Sequence, residues 1–164
     1  LTKPIFRSEL VQKLRFYIMG PSSEKTEAVH DIGKYHFEGL RILVAEDNEL
    51  NREIAVELLS SAGIQADSVE NGLQAVRKVE QSEAGYYDMI LMDIHMPVMD
   101  GLEAAQNIRR LPDRGKAEIP MIAMTADAFE EDIRRCENAG MNGHISKPVV
   151  IEKMFDLIRL FCNR

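Results

Sequence analysis

Met89-Ile90-Leu91-Met92-Asp93-Ile94-His95-Met96-Pro97 is the stretch on which the fold turns. Its first four residues are apolar without alternation, as in a strand whose two faces are both covered. Asp93 ends that run, and Met96-Pro97 breaks any continuation. A strand covered on both faces needs helices above and below it, the arrangement of a parallel sheet built from βα units. Outward from this centre, Ile42 to Ala45, Ile64 to Val69, Pro120 to Met124 and Gly143 to Ile145 are further short apolar runs. They begin at intervals of roughly 20 to 30 residues, the length of one βα unit. Five units fit between Arg41 and Arg164, predicting an α/β domain with a doubly wound five-stranded parallel sheet and five helices.

The helices between the strands carry local signals. Asn48 is placed to cap the first, where Leu50, Ile54 and Leu58 form one stripe and Ala55, Leu59 and Ala62 another, until Gly63 stops it. Asn71-Gly72 opens the second and Gly101 the third. Asp127 is a candidate cap for the fourth, which ends at Ala139-Gly140, and Ile151, Phe155 and Ile158 stripe the fifth.

Residues 40 to 164 form this domain. Ahead of it, residues 1 to 19 carry Lys3-Pro4 and then a helical pattern in Leu10, Leu14 and Tyr17 or Ile18, while residues 20 to 39 read as linker. Leu1-Thr2-Lys3-Pro4-Ile5 parallels Ile145-Ser146-Lys147-Pro148-Val149, each followed by an amphipathic helix. The opening helix therefore reads as the end of a preceding domain of the same kind; the plainer alternative is a chance Lys-Pro pair. A first residue of Leu1 rather than methionine reads as a piece of a longer protein.

The bulk composition narrows the function classes. Of 164 residues, 45% are hydrophobic and 29% charged, the balance of a soluble globular protein. The net charge of -7 would repel a nucleic-acid backbone, so no nucleic-acid partner is expected. Two cysteines, Cys136 and Cys162, make neither a disulfide framework nor a metal knuckle and suit a reducing compartment. No apolar run approaches a membrane span, so no direct membrane contact is expected of this piece. Its location reads as cytoplasmic, with the parent chain free to be membrane-anchored.

In a doubly wound sheet, reactive groups collect where strands end at their carboxyl edge. The first strand ends in Glu46-Asp47, the third in Asp93, the fourth in Thr125 and the fifth in Lys147. Three converging carboxylates repel and call for protons or a cation. Oxygen donors favour a hard ion such as magnesium, which is commonly shared with a phosphate. Phosphoryl transfer needs positioning and charge neutralisation, which a lysine and a hydroxyl can supply. Asp93 is the candidate nucleophile, since a carboxylate can attack phosphorus to give an acyl phosphate. Each residue has a plainer reading alone: a solvated turn for Glu46-Asp47, a turn cap for Asp93, a surface charge for Lys147. Agreement of four separate strand ends is what outweighs those readings.

Leu43-Val44-Ala45-Glu46-Asp47-Asn48, Met92-Asp93-Ile94-His95-Met96-Pro97-Val98-Met99-Asp100-Gly101, Ala123-Met124-Thr125-Ala126 and Ile145-Ser146-Lys147-Pro148 together resemble the response-regulator receiver family, from Arg41 to about Phe161. The resemblance implies a flavodoxin-like strand order, 2-1-3-4-5. It implies phosphorylation of Asp93, and magnesium (or manganese) held by Glu46, Asp47, Asp93 and the main-chain carbonyl of His95. Thr125 and Lys147 would contact the phosphoryl oxygens, and Lys147-Pro148 would be cis. His144 stands where the family places the aromatic that moves with Thr125. The surface of the fourth helix and fifth strand is the family's usual switch face.

The resemblance also implies a place in a hybrid sensor histidine kinase. Its partners would then be a histidine kinase core or a histidine-phosphotransfer domain, and the parent chain a protein kinase. The alternatives are a receiver whose phosphorylation itself switches partner binding, a phosphate-blind docking receiver and an aspartate-nucleophile phosphatase. That phosphatase pattern puts a second aspartate where this chain has His95. His30-Asp31 invites a reading as a kinase phosphoacceptor, which the lack of a two-helix pattern around it opposes.

Overall fold

The computed structural model describes residues 35 to 126 and 129 to 162. The expected opening helix, most of the expected linker and the expected Asp127 cap lie outside the described residues.

Five strands, β1 (Arg41–Ala45), β2 (Gln65–Val69), β3 (Met89–Asp93), β4 (Met121–Thr125) and β5 (Gly143–Ser146), pair in parallel in the order β2-β1-β3-β4-β5. Among the described residues six helices accompany them: α1 (Glu49–Ser61), α2 (Gly72–Gln81), α3 (Gly101–Arg109), α4 (Arg114–Ala117), α5 (Glu130–Asn138) and α6 (Ile151–Phe161). The one-turn α4 is an addition to the five expected. Asp113 creates it by accepting from the Gly115 and Lys116 amides, too local a device for apolar periodicity to reveal.

Every residue of β3 and β4 is buried, as expected of strands covered on both sides. Their side chains divide between two apolar layers. Ile42, Val44, Leu91, Ile122, Met124 and Ile145 face α1 and α6, packing with Leu58, Leu59, Phe155 and Ile158. Leu43, Ile90, Met92 and Ala123 face α2, α3 and α5, packing with Val79, Ala105, Ile108 and Cys136.

Asn48 caps α1 by accepting from the Asn51 amide at 3.0 Å, and Asn71 caps α2 by accepting from Gln74 at 2.9 Å. Helix α5 instead starts after Phe129 with no side-chain cap bond. The first α1 stripe does not sink fully into the core: Leu50 is 43% exposed. Tyr35 and Phe37, at the end of the expected linker, pack against the α1 and α6 layer.

Candidate functional site

All strands run the same way, so one edge of the sheet receives every strand's carboxyl end. The register sets Asp93 beside Met124 and Thr125 beside Ser146, which puts the ends of β3, β4 and β5 side by side. There Glu46, Asp47 and Asp93 each offer a carboxylate oxygen, all within 4.8 Å of one another. Glu46 and Asp93 are buried, while Asp47 is exposed at the rim.

Lys147 reaches both buried acids. Its ammonium lies 2.9 Å from Glu46 Oε2 and 3.0 Å from Asp93 Oδ2. The Lys147 amide also donates to the Thr125 carbonyl at 2.6 Å, tying the end of β5 to β4. Lys147-Pro148 is a cis peptide. Burial would lower the Lys147 pKa, but its hydrogen bonds to Glu46 and Asp93 outweigh that and raise it. Glu46 moves up as well, to about 7: its burial outweighs the Lys147 bond, and the Asp93 charge adds to the rise. Glu46 Oε1 accepts from the Asn48 amide at 3.2 Å.

Arg52 is a site residue that motif reading misses. It donates to the Glu46 carbonyl at 3.0 Å and lies 3.6 Å from Glu70, so α1 braces the acidic loop from behind. No spacing signal announces it, because the contact is made only once α1 is folded against the ends of β1 and β2.

Thr125 is buried, and its Oγ1 has no hydrogen-bond partner among the described residues. A buried hydroxyl without a partner among the described residues keeps its donor available to a ligand at this edge. With His95 it borders a cavity of about 30 Å³. His95 itself is an exposed loop residue, and His144 is half-buried in β5.

The loop after β3 is tightly held. A side chain at Gly101 would drive into the Asp93 carbonyl, and one at Gly72 would come within 2.5 Å of the Met99 carbonyl. Between them Val98 adopts φ 69°, with the Met99 amide donating to Pro97 O at 2.8 Å in a tight γ-turn. Val98 is 77% exposed beside the acidic edge.

The carboxylate set suits a hard divalent cation. Two observations support the fit: burial holds Glu46 above the usual carboxylate range, which a cation would relieve, and Thr125 presents a free donor at the same edge.

A family model described as the response regulator receiver domain matches residues 42–159. The chain belongs to that family. The receiver is 36% identical over 122 residues to hybrid signal transduction histidine kinase L of Dictyostelium discoideum, covering 74% of this chain and 7% of that protein. The chain likewise spans only a small part of other curated relatives it matches, 5% of one and 16% of another. It is similar, at 35% identity and a TM-score of 0.69, to the receiver domain of a sensor histidine kinase from Pseudomonas aeruginosa, covering 77% of this chain and 99% of that one. That structure has a magnesium ion coordinated in its active-site cleft. A third similarity, at 28% identity and a TM-score of 0.69, is to a Saccharomyces cerevisiae complex between a histidine phosphotransfer signaling protein and the receiver domain of its downstream response regulator. It covers 76% of this chain and 90% of the matched one.

Proposed function

We propose that this receiver takes a phosphoryl group from a phosphohistidine onto Asp93, in a magnesium-dependent step, and relays it to a histidine-phosphotransfer partner within a hybrid histidine kinase pathway. The observation that carries the reading is Lys147 bridging Asp93 and Glu46 beside a third carboxylate. Glu46, Asp47 and Asp93 would hold the ion, with the His95 carbonyl as a further donor. Bound there, magnesium supplies positive charge to the phosphoryl oxygens and lowers the repulsion between acids.

The protein's own groups do the rest. Asp93, at the end of a fully buried strand, would offer a carboxylate oxygen to the phosphorus. A new O–P bond forms as the P–N bond breaks, and the departing imidazole keeps its electron pair and takes a proton from solvent. Lys147 is already within bonding distance of Asp93 and pairs with the incoming charge. Thr125 donates its free hydroxyl to a phosphoryl oxygen.

A protein donor also needs a surface on which to dock. A cavity of about 330 Å³, lined by Ile54, Ala55, Leu58, Val149 and Met154, opens beside Glu46 and Lys147. Leu50, Val98 and Val150 are exposed apolar side chains of the same domain. The similar yeast receiver was captured with a phosphotransfer protein, which supports a partner of that kind.

The orphaned Thr125 hydroxyl favours a second reading, in which phosphorylation switches partner binding directly through Thr125 and His144. The phosphatase reading lacks its general acid, because His95 stands two residues after Asp93. Among the described residues no helix is long and apolar enough to cross a membrane. A cytoplasmic setting accords with the proposed phosphohistidine donor.

Incubation with acetyl phosphate and magnesium is expected to label the intact chain and not Asp93→Asn. Chelation should abolish the labelling, and manganese substituted for magnesium tests the choice of ion. Loss of label to a histidine-phosphotransfer domain within the assay supports the relay, whereas stable label with altered partner affinity supports the switch. Labelling that survives in Asp93→Asn would refute the assignment.

A further inference from the structure

The residues entering the domain are not a free tether. Tyr35 stacks on Phe155 with ring centroids 4.8 Å apart, and Phe37 lies 5.9 Å from the same ring. The Arg159 guanidinium sits 5.2 Å over the Tyr35 ring, so two α6 residues one turn apart grip one aromatic. On the other side, the Phe37 amide donates to the Ala62 carbonyl, which closes α1, at 2.8 Å. Tyr35 and Phe37 therefore bridge the seam between α1 and α6 at one end. The opposite end of that seam, bordered by Ile54, Leu58 and Met154, is the cavity of about 330 Å³ that opens beside Lys147.

Helix α6 is thus held at Phe155 and Arg159, and its Met154 borders the cavity. Its first residue, Ile151, follows Lys147 by only Pro148, Val149 and Val150. The position of Lys147 depends on Glu46 and Asp93, the two acids it bridges. A helix gripped at Phe155 and Arg159 by the aromatic strap and joined at its start to the Lys147 backbone links the two mechanically.

We propose that Tyr35 and Phe37 form a strap through which the chain ahead of the domain is coupled, by way of α6, to the state of the Asp93 site. Any change in what Lys147 pairs with shifts α6 and alters the strap's hold. By reciprocity, loosening the strap changes the affinity of the site for its charged ligands.

The phosphorylation arm of the test rests on the function proposed above, so a second arm is independent of it. Amide exchange at Phe37 and across α6 is followed in the full chain without metal, with magnesium, and with magnesium plus acetyl phosphate. Protection at Phe37 is expected to differ by about threefold or more between states, a modest coupling. Tyr35→Ala/Phe37→Ala is expected to change magnesium affinity by a similar factor, with Tyr35→Phe/Phe37→Leu restoring it.

If Asp93 fails to label, the functional reading fails, and Lys147→Gln then decides the strap alone through a changed Phe37 protection. Should that variant not fold, the magnesium titration of the parent chain replaces it. Labelling or metal binding with unaltered Phe37 exchange, or strap variants with unaltered metal affinity, would overturn the coupling.

Discussion

Glu46 shows how one buried carboxylate ties stability to pH. Its pKa in the folded chain is about 7 against an ordinary 4.5, so the folded state holds the proton more tightly than the unfolded one. The resulting contribution is full below pH 4.5 and is lost as pH rises through 7. Its size is on the order of 3 kcal/mol. Metal-free protein should therefore lose melting temperature between pH 5 and 8, and Glu46→Gln should flatten that profile when both are followed by thermal denaturation. An equally steep profile in the variant would move the effect elsewhere. Glu46, Asp47, Asp93, Thr125 and Lys147 were legible in the sequence because each terminates an apolar strand, so topology alone gathers them. Arg52 was not, since its reach to the Glu46 carbonyl depends on how α1 lies against β1.

The strands and principal helices were legible for a related reason: uninterrupted apolar runs and capping residues are local. Asn48, Asn71 and Asp100 cap α1, α2 and α3 through their own side chains. Connections made across distant segments carry no such mark. Arg109, at the end of α3, donates to the carbonyls of Gly140, Ala117 and Ile119 and to the Asn142 side chain. One guanidinium thus joins α3, α4 and the turn from α5 into β5. Arg109→Ala would strand several acceptors at once and is expected to cost about 2 to 4 kcal/mol. Urea denaturation should show a lower midpoint with an unchanged slope. Arg109→Lys should recover only part of the loss, because an ammonium lacks the planar fork. Tyr35 and Phe37 carry no such mark either, because their contacts with Phe155 exist only in the folded chain.

For the whole molecule, the acidic site works against folding unless its charge is met. A ligand that binds only the folded chain stabilises it in proportion to the logarithm of its concentration. Magnesium at about a hundredfold excess over its Kd should add about 3 kcal/mol. The melting temperature should keep rising with further magnesium, and Asp93→Asn should blunt the response. A magnesium response unchanged in that variant would place the ion elsewhere. Raising sodium chloride at fixed magnesium should weaken the effect, because Asp47 at the rim is exposed to screening. The order β2-β1-β3-β4-β5 makes the arrangement possible, since it sets the ends of β1 and β4 on either side of β3.

Val98 holds a branched side chain in backbone space that suits glycine, at a cost of about 1 to 3 kcal/mol. Val98→Gly should thus melt at a higher temperature despite glycine's greater freedom when unfolded. It should also bind a phosphotransfer protein more weakly while labelling normally with acetyl phosphate. That pairing of a sturdier fold with a poorer handshake would mark this turn as a place where durability has been traded for recognition.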